Sequence, residues 1–195
     1  MKSTAFLLLA LGAVPAFALD LTPQFITTRA EGAVITRPYF ADGEKKYALT
    51  LDTETDLLPG EGGPLFRFTK LGQADMRWRL SPFRVDVKFE GEALAAYERS
   101  ARSNLPALAE SVVLEGQVPN PWPVNGWQGH SFIFKFKTAS GEVRQSVTFL
   151  NIIPGQQIVV TIASMAKDFE DAAGRGYDTI RRWHELDAEA VGGGS

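Results

Sequence analysis

The chain has 195 residues, a formal net charge of −3 and no cysteine, and 45% of its residues are hydrophobic and 11% aromatic. This acidic balance argues against a nucleic-acid-binding protein, and the absence of cysteine excludes disulfide bonds. A domain of this size buries about 70% of its unfolded surface and needs no cross-links. We therefore expect one domain over residues 19–188, with a flexible tail over 189–195.

The first 18 residues have the pattern of a secretory signal peptide. Lys2 supplies the positive charge, residues 5–14 the apolar run, and Ala16-Phe17-Ala18 the cleavage motif. The apolar run is shorter than the roughly 20 residues that a membrane-spanning helix needs. We therefore expect cleavage after Ala18 and export as a soluble protein. Export without disulfides fits the bacterial periplasm.

Strands dominate the first half of the chain. Alternation of apolar and polar residues predicts short strands, over 33–37, 46–51, 65–71, 76–80 and 82–89. A turn signal at residues 41–44 separates the first two strands. The Gly- and Pro-rich segment 52–64 is expected to be a polar loop.

The apolar spacing changes to that of a helix at Glu92. Steps of three or four residues align one apolar stripe, which contains Leu94, Tyr97, Ala101, Leu105 and Leu108. Pro106 is expected to break or kink this helix near Asn104. Residues 112–118 are predicted to be extended.

The segment NPWPVNGWQGHSF, residues 120–132, is predicted to form the corner of a hairpin. Asn125-Gly126 is the strongest short hairpin signal, because both residue types tolerate positive φ. Trp122 and Trp127 flank this turn. We expect at least one of them to cap the core, and an aromatic rim that grips a peptide, glycan or partner is the alternative.

The remaining segments are a strand meander and a helical C-terminus. The meander covers 129–165, with central strands that carry apolar residues on both faces. One helix is expected to end at Gly174, and a second carries Tyr177, Ile180 and Trp183 at helical spacing. This order predicts the α+β class, with an antiparallel sheet covered by helices on both faces in an α/β/α sandwich.

Several of these segments together resemble the DcrB-like family. The resemblance rests on Val124-Asn125-Gly126 before a paired strand, on the meander 129–165 and on the ending TIASMAKDFEDAAGRGYDTIRRW. It covers roughly residues 32–187, most closely 82–187. That family shares its fold with PsbP, the extrinsic photosystem protein, and with a small Ran-binding nuclear factor. The resemblance implies a PsbP-like sandwich and a non-enzymatic binding or accessory role, with no catalytic residues to carry over.

A search for catalytic motifs finds none with the required arrangement. His130 and His184 are the two histidines, and a zinc site built on them would need further carboxylates. The run Gly129-His130-Ser131-Phe132-Ile133 departs from G-x-S-x-G at its fifth residue. We therefore predict no enzyme activity, no metal and no cofactor.

Three alternating carboxylates could in principle hold a cation. Asp52, Glu54 and Asp56 would face one way in an extended segment. The positions where an EF-hand loop requires Gly and Glu hold Leu57 and Gly63 instead. A solvated acidic loop is the expectation, and cation binding is left open.

A basic surface is predicted from alternation on two neighbouring strands. Arg77 and Arg79 emerge opposite an apolar set, and Arg84 and Lys88 do so on the next segment, whereas the membership of Arg67 is undecided. These cations could pair with the acidic C-terminal helix for little net energy. They could instead bind an acidic segment of a partner or phospholipid head groups, which is chemistry suited to arginine.

The sequence therefore predicts an exported, soluble, non-enzymatic binding or accessory protein of the bacterial envelope that acts on another protein or on an anionic envelope component. The alternatives are a small-ligand-binding periplasmic receptor and an immunity protein against a toxin. The residues predicted to contact a partner are Arg77, Arg79, Arg84, Lys88, Trp122 and Trp127.

Overall fold

The structure is a computed structural model, and it describes residues 19–30, 33–122 and 126–186. The predicted signal peptide over 1–18, the tail over 189–195 and Asn125 lie outside the described residues. Within the described ranges, no helix has the length and apolar character needed to cross a membrane.

Strands make up most of the fold. In chain order the elements are β1 (Asp20–Ala30), β2 (Ala33–Asp42), β3 (Lys45–Ala48), β4 (Thr55–Gly60), β5 (Gly63–Phe68), β6 (Asp75–Leu80), α1 (Gly91–Ser103), β7 (Glu110–Pro119), β8 (Gly129–Thr138), β9 (Gly141–Ile153), β10 (Gln156–Met165), a 3-10 turn (Ala166–Asp168), α2 (Phe169–Ile180) and β11 (His184–Glu185). A small sheet has the order β1-β2-β3-β11, and a large sheet has the order β4-β5-β6-β10-β9-β8-β7. Every strand pair is antiparallel, and across β6, β10, β9 and β8 the register shifts once, between Gln156 and Gln157 of β10.

This architecture shows that the predicted fold class is wrong. In the part of the chain that the structure describes, the molecule is mostly β, with 53% strand and two antiparallel sheets, and it is not an α/β/α sandwich. The reason lies in the N-terminal segment, which forms a second sheet and places Phe40 5.8 Å from Trp78 between ring centroids. A 12-residue helix such as α2 is about 18 Å long. It covers only part of a seven-stranded sheet about 30 Å wide.

Each face of the large sheet is covered by other elements over a different part of its strands. On the first face, Met76 and Trp78 of β6 pack with the small sheet and α2 in one apolar core. On the second face, α1 buries Tyr97 and Ala101 against a group of phenylalanines that includes Phe149 of β9. The second face of β5 and β6 therefore stays open beside the end of α1.

Alternation along β6 follows the prediction over most of the strand. Met76 and Trp78 are fully buried, whereas Arg77 and Arg79 are exposed on the opposite face. Leu80 departs from the predicted inward set and is 43% exposed, since β6 ends at this residue.

The predicted strand over 82–89 is wrong. Residues 81–90, which we call the strap, contain turns and pair with no strand. Phe83 and Phe89 of the strap pack on Tyr97 of α1, with ring centroids 4.1 and 4.6 Å away. The alternation of half-buried and exposed residues arises because the strap lies across α1 and β9.

Two further local predictions need correction. The segment 52–64, expected to be a loop, contains β4, which pairs with β5 in the large sheet. The helix expected to end at Gly174 continues to Ile180 as α2. Gly176 lies against β10 and β6, because a Cβ atom placed there would approach Ile162 and Met76. Tertiary packing thus keeps the helix intact across both glycines.

Candidate functional site

A groove of about 450 Å³ lies on the open face of the large sheet, between β6 and the end of α1. We call it the β6–α1 groove. Its floor contains Thr161 and Ala163 of β10, which pair in register with Arg77 and Asp75 of β6. Residues 103–106, at the end of α1, form the opposite wall. The groove therefore runs parallel to β6.

The wall of the groove is held in place by a buried side chain. Gln145 of β9 is 3% exposed, and its Nε2 donates a hydrogen bond to the backbone oxygen of Asn104 at 3.0 Å. The Asn104 side chain in turn donates to the backbone oxygen of Ser100 at 2.8 Å. These bonds fix the distance between the end of α1 and the sheet, so the groove is preformed.

The charges of the groove are carried by three residues at alternate positions of β6. Arg77 contacts Asp75 through a single pair of atoms 3.4 Å apart, and its side chain is 52% exposed. Arg79 makes no ion pair or side-chain hydrogen bond with any described residue. The Cα atoms of Arg77 and Arg79 are about 7 Å apart along the strand, and the described residues leave both guanidinium groups largely unsatisfied.

The register explains why Arg67 does not add to this charge. Arg67 of β5 lies between Asp56 of β4 and Asp75 of β6 in the cross-strand row. Arg77, one row along, lies between Leu65 and Thr161, and these neighbours carry no charge. The net positive charge of the open face is thus concentrated at Arg77 and Arg79.

The structure separates the other two predicted cations from this site. Arg84 and Lys88 are in the strap, where Arg84 pairs with Asp86 at 2.9 Å and Lys88 with Glu90 at 3.8 Å. Neither of them lines the β6–α1 groove. Within the described part of the chain, none of these four cations pairs with the acidic C-terminal helix.

The two tryptophans that flank the predicted Asn-Gly turn, Trp122 and Trp127, lie in different environments. Trp122 is 9% exposed and belongs to the main apolar core. Trp127 is half-buried, packs against the same core and lines a shallow cleft of about 370 Å³ with Asn151 and Pro154. Trp122 therefore caps the core, and Trp127 retains an exposed edge.

A second cleft, of about 530 Å³, lies beneath the strap and includes His130. The His130 ring lies beside Phe89 and Phe132, and burial lowers the pKa of the imidazole below its ordinary value. Two of the three side-chain amides that line this cleft are engaged internally. Asn120 accepts from the backbone N–H of Gly129, and Asn151 bonds to the strap and to β10.

The residues considered for catalysis and for cation binding have structural partners. His130 and Ser131 are adjacent on β8 and therefore point to opposite faces, and the Ser131 hydroxyl bonds to Thr148 at 3.0 Å. Asp52 accepts from the backbone N–H of Glu54 at 2.9 Å. In the described ranges, no three His, Asp or Glu side chains form a group that could hold a metal ion.

Glu54 is held by cations from two other elements. The ammonium group of Lys70 has the largest effect on its carboxylate, and the guanidinium group of Arg175 in α2 has the next largest. Both donate hydrogen bonds that lower the pKa of Glu54 below its ordinary value. This contact ties the start of β4 to α2. It gives Glu54 a structural partner on each side, which differs from the solvated loop expected from sequence.

Sequence reasoning missed the residues that complete the groove. Thr161 is a polar residue in the apolar run IVVTIA of β10, and Gln145 is a buried amide in β9. A polar residue inside an apolar strand is a usable signal for a site. No comparable sequence pattern marks residues 103–106 as part of the groove wall, because their position depends on where α1 crosses the sheet.

Comparisons with known proteins give a fold likeness. No family model and no curated protein matches the chain. The structure is similar to that of LpqN of Mycobacterium tuberculosis, described as involved in cell envelope biogenesis, with a TM-score of 0.50 and 11% identity over 85% of this chain and 92% of that chain. It is also similar to PA94 of Pseudomonas aeruginosa, a protein of unknown function, with a TM-score of 0.40 and 12% identity over 80% and 94% of the two chains.

At these identities the likeness to LpqN shows a shared fold alone. The DcrB-like resemblance drawn from the sequence is matched by no family model, and it stays a prediction.

Proposed function

We propose that this protein is an exported, non-enzymatic binding or accessory protein of the bacterial envelope, and that it captures an acidic segment of another protein in the β6–α1 groove. The observation that carries the proposal is the pair Arg77 and Arg79, two exposed guanidinium groups on one preformed wall. Guanidinium groups bind carboxylates through two parallel N–H donors.

The location of the proposed activity rests on two further observations. The first 18 residues have the signal-peptide pattern, which directs a chain to the envelope or beyond. LpqN, which has the same fold, is described as involved in cell envelope biogenesis. We infer a periplasmic accessory protein from these observations together.

The cleft beneath the strap gives less support to a small-ligand receptor. A ligand site needs polar groups that converge on the ligand, but Asn120 and Asn151 already bond to protein atoms. The groove, in contrast, presents charged groups that are largely free. A binding role for the groove is therefore the stronger proposal.

The experiment is a titration of the isotopically labelled protein, residues 19–195, with a capped acidic peptide, Glu-Ser-Glu-Ser-Glu, at low salt. We expect amide shifts at Arg77, Arg79 and Thr161 that vanish as salt shortens the Debye length below about 8 Å. The variant R77A/R79A should lose the shifts. R84A/K88A is the matched control, because its cations lie in the strap, and it should keep them.

Vesicles of phosphatidylglycerol test the other partner considered for these cations. Binding to vesicles without any peptide-induced shift would overturn the protein-partner proposal in favour of a lipid surface. Shifts that survive in R77A/R79A would show that the groove arginines do not carry the interaction.

A further inference from the structure

The groove carries a charge pattern as well as a net charge. Asp75, Arg77 and Arg79 occupy alternate positions of one strand, and all three line the groove. The Cα atoms of successive residues in this set are about 7 Å apart along the strand. The charges that line the groove along β6 are therefore negative, positive and positive, in this order, at every second residue.

An extended peptide has the same repeat. Side chains at positions 1, 3 and 5 of an extended segment point one way and are spaced about 7 Å apart. A segment lying along the groove would therefore place alternate side chains opposite Arg79, Arg77 and Asp75. The span from Asp75 to Arg79 matches five residues of extended chain.

We infer that the groove selects an extended segment with acidic residues at two alternate positions and a basic residue at the third, in the order acid-x-acid-x-base or its reverse. This inference rests on the proposed function and deepens it by naming the partner sequence. The basic residue faces Asp75, whose side chain is 31% exposed and, among the described residues, makes only the 3.4 Å ion pair with Arg77. A third acid at that position would instead face a like charge.

The three charges have different cross-strand neighbours. Leu65 and Thr161 lie beside Arg77 and Val159 lies beside Arg79, and these neighbours carry no charge. Asp75 lies between Arg67 of β5 and Ala163 of β10. The opposite wall, residues 103–106, carries no ionisable side chain. Within the groove, the order of charges on the partner is therefore set by β6, and the matched and control orders differ at two of the three charge pairs.

The test compares capped peptides of one composition. Glu-Ser-Glu-Ser-Lys and Lys-Ser-Glu-Ser-Glu have the matched pattern in the two chain directions, and Glu-Ser-Lys-Ser-Glu is the control with the same net charge. Peptides of this length do not form helices in water. The readout is the shift of the Arg77 and Arg79 amides during titration of the full chain that follows position 18.

We expect one of the matched peptides to bind about ten-fold more tightly than the control. Each exposed charge pair contributes only a fraction of the energy of a ten-fold change. Two pairs, however, change from attraction to repulsion in the control, and their effects add. D75N should abolish the preference for lysine at the end position, because it removes the charge that this lysine faces. R84A/K88A should keep the full preference.

The outcomes separate this inference from the proposed function. Equal binding of all three peptides, with R77A/R79A inactive, would overturn the charge order and leave the proposed function standing. Tighter binding of Glu-Ser-Glu-Ser-Glu than of both matched peptides would also overturn it. If no peptide binds, including the fully acidic one, the proposed function fails as well.

Discussion

Trp78 and Arg79 are adjacent on β6, and one side chain is fully buried while the other is exposed in the groove. Trp78 lies 4.9 Å from Phe66 and 5.6 Å from Trp183 between ring centroids, inside the main core. The strand that presents the groove arginines is thus anchored from behind by aromatic packing. A core residue and a site residue share one stretch of backbone, so damage to the core is expected to disturb the groove.

The groove arginines are expected to contribute little to stability, in contrast to Arg144. R77A/R79A should leave the melting temperature nearly unchanged, because Arg77 has one weak, exposed contact and Arg79 has none with the described residues. Arg144 bonds to Glu115 and Glu170 at 2.7 Å each and lies over the ring of Phe169. R144A should therefore cost about 1–2 kcal/mol of unfolding free energy. Thermal unfolding of both variants checks this, and a sharp fall for R77A/R79A would make those arginines structural.

Two glycines of α2 are expected to respond in opposite directions to the same change. A Cβ at Gly176 would lie 2.3 Å from Cδ1 of Ile162, so G176A should destabilise the protein by about 1–3 kcal/mol through overpacking. Gly174 has no atom within 4 Å of such a Cβ. G174A should stabilise the helix by up to about 1 kcal/mol. Urea unfolding measures both, and equal effects would contradict the close approach of α2 to β10.

Gln157 is expected to hold the strap on the sheet. Its Oε1 accepts from the Ser81 hydroxyl at 2.6 Å, and its Nε2 donates to Asn151 at 2.8 Å. Q157A should cost about 1–3 kcal/mol, because the half-buried side chains of Ser81 and Asn151 lose their hydrogen bonds. It should also speed amide hydrogen exchange in residues 81–90. Q156A is the neighbouring control, and unchanged exchange in Q157A would show that the aromatic contacts and the hydrogen bonds to Val85 and Val87 retain the strap without this side chain.

His130 is expected to make the fold sensitive to mild acid. Because burial lowers the pKa of His130 in the folded protein, the unfolded chain takes up a proton first as the pH falls. The associated stability is fully present above the unfolded pKa of about 6.5. It is lost as the pH decreases from there through the folded pKa.

Melting temperatures of H130Q between about pH 8 and 5 should therefore fall less than those of the unmodified protein. H184Q is the control, since His184 is exposed in β11. A pH profile of H130Q that matches the unmodified protein would assign the acid sensitivity to other groups.

Local patterns in the sequence determined much of the second half of the fold and the key element of the site. Alternation placed Arg77 and Arg79 on the face opposite Met76 and Trp78, because side-chain direction in a strand follows from position alone. The meander of β8, β9 and β10 followed from apolar runs separated by short turns. The apolar spacing also predicted helix α1, which begins at Gly91, one residue before the expected start at Glu92.

Tertiary structure alone decided what those local patterns could not contain. The strap has the alternation of a strand, yet it lies on Tyr97 and forms no ladder, since pairing depends on a distant partner with free backbone groups. The same non-local pairing set the second sheet against Trp78 and so decided the fold class. Register placed Arg67 between two carboxylates, and the crossing of α1 supplied the wall of the groove. The sequence determined which face the arginines occupy, and long-range packing decided which charges share that face and what encloses them.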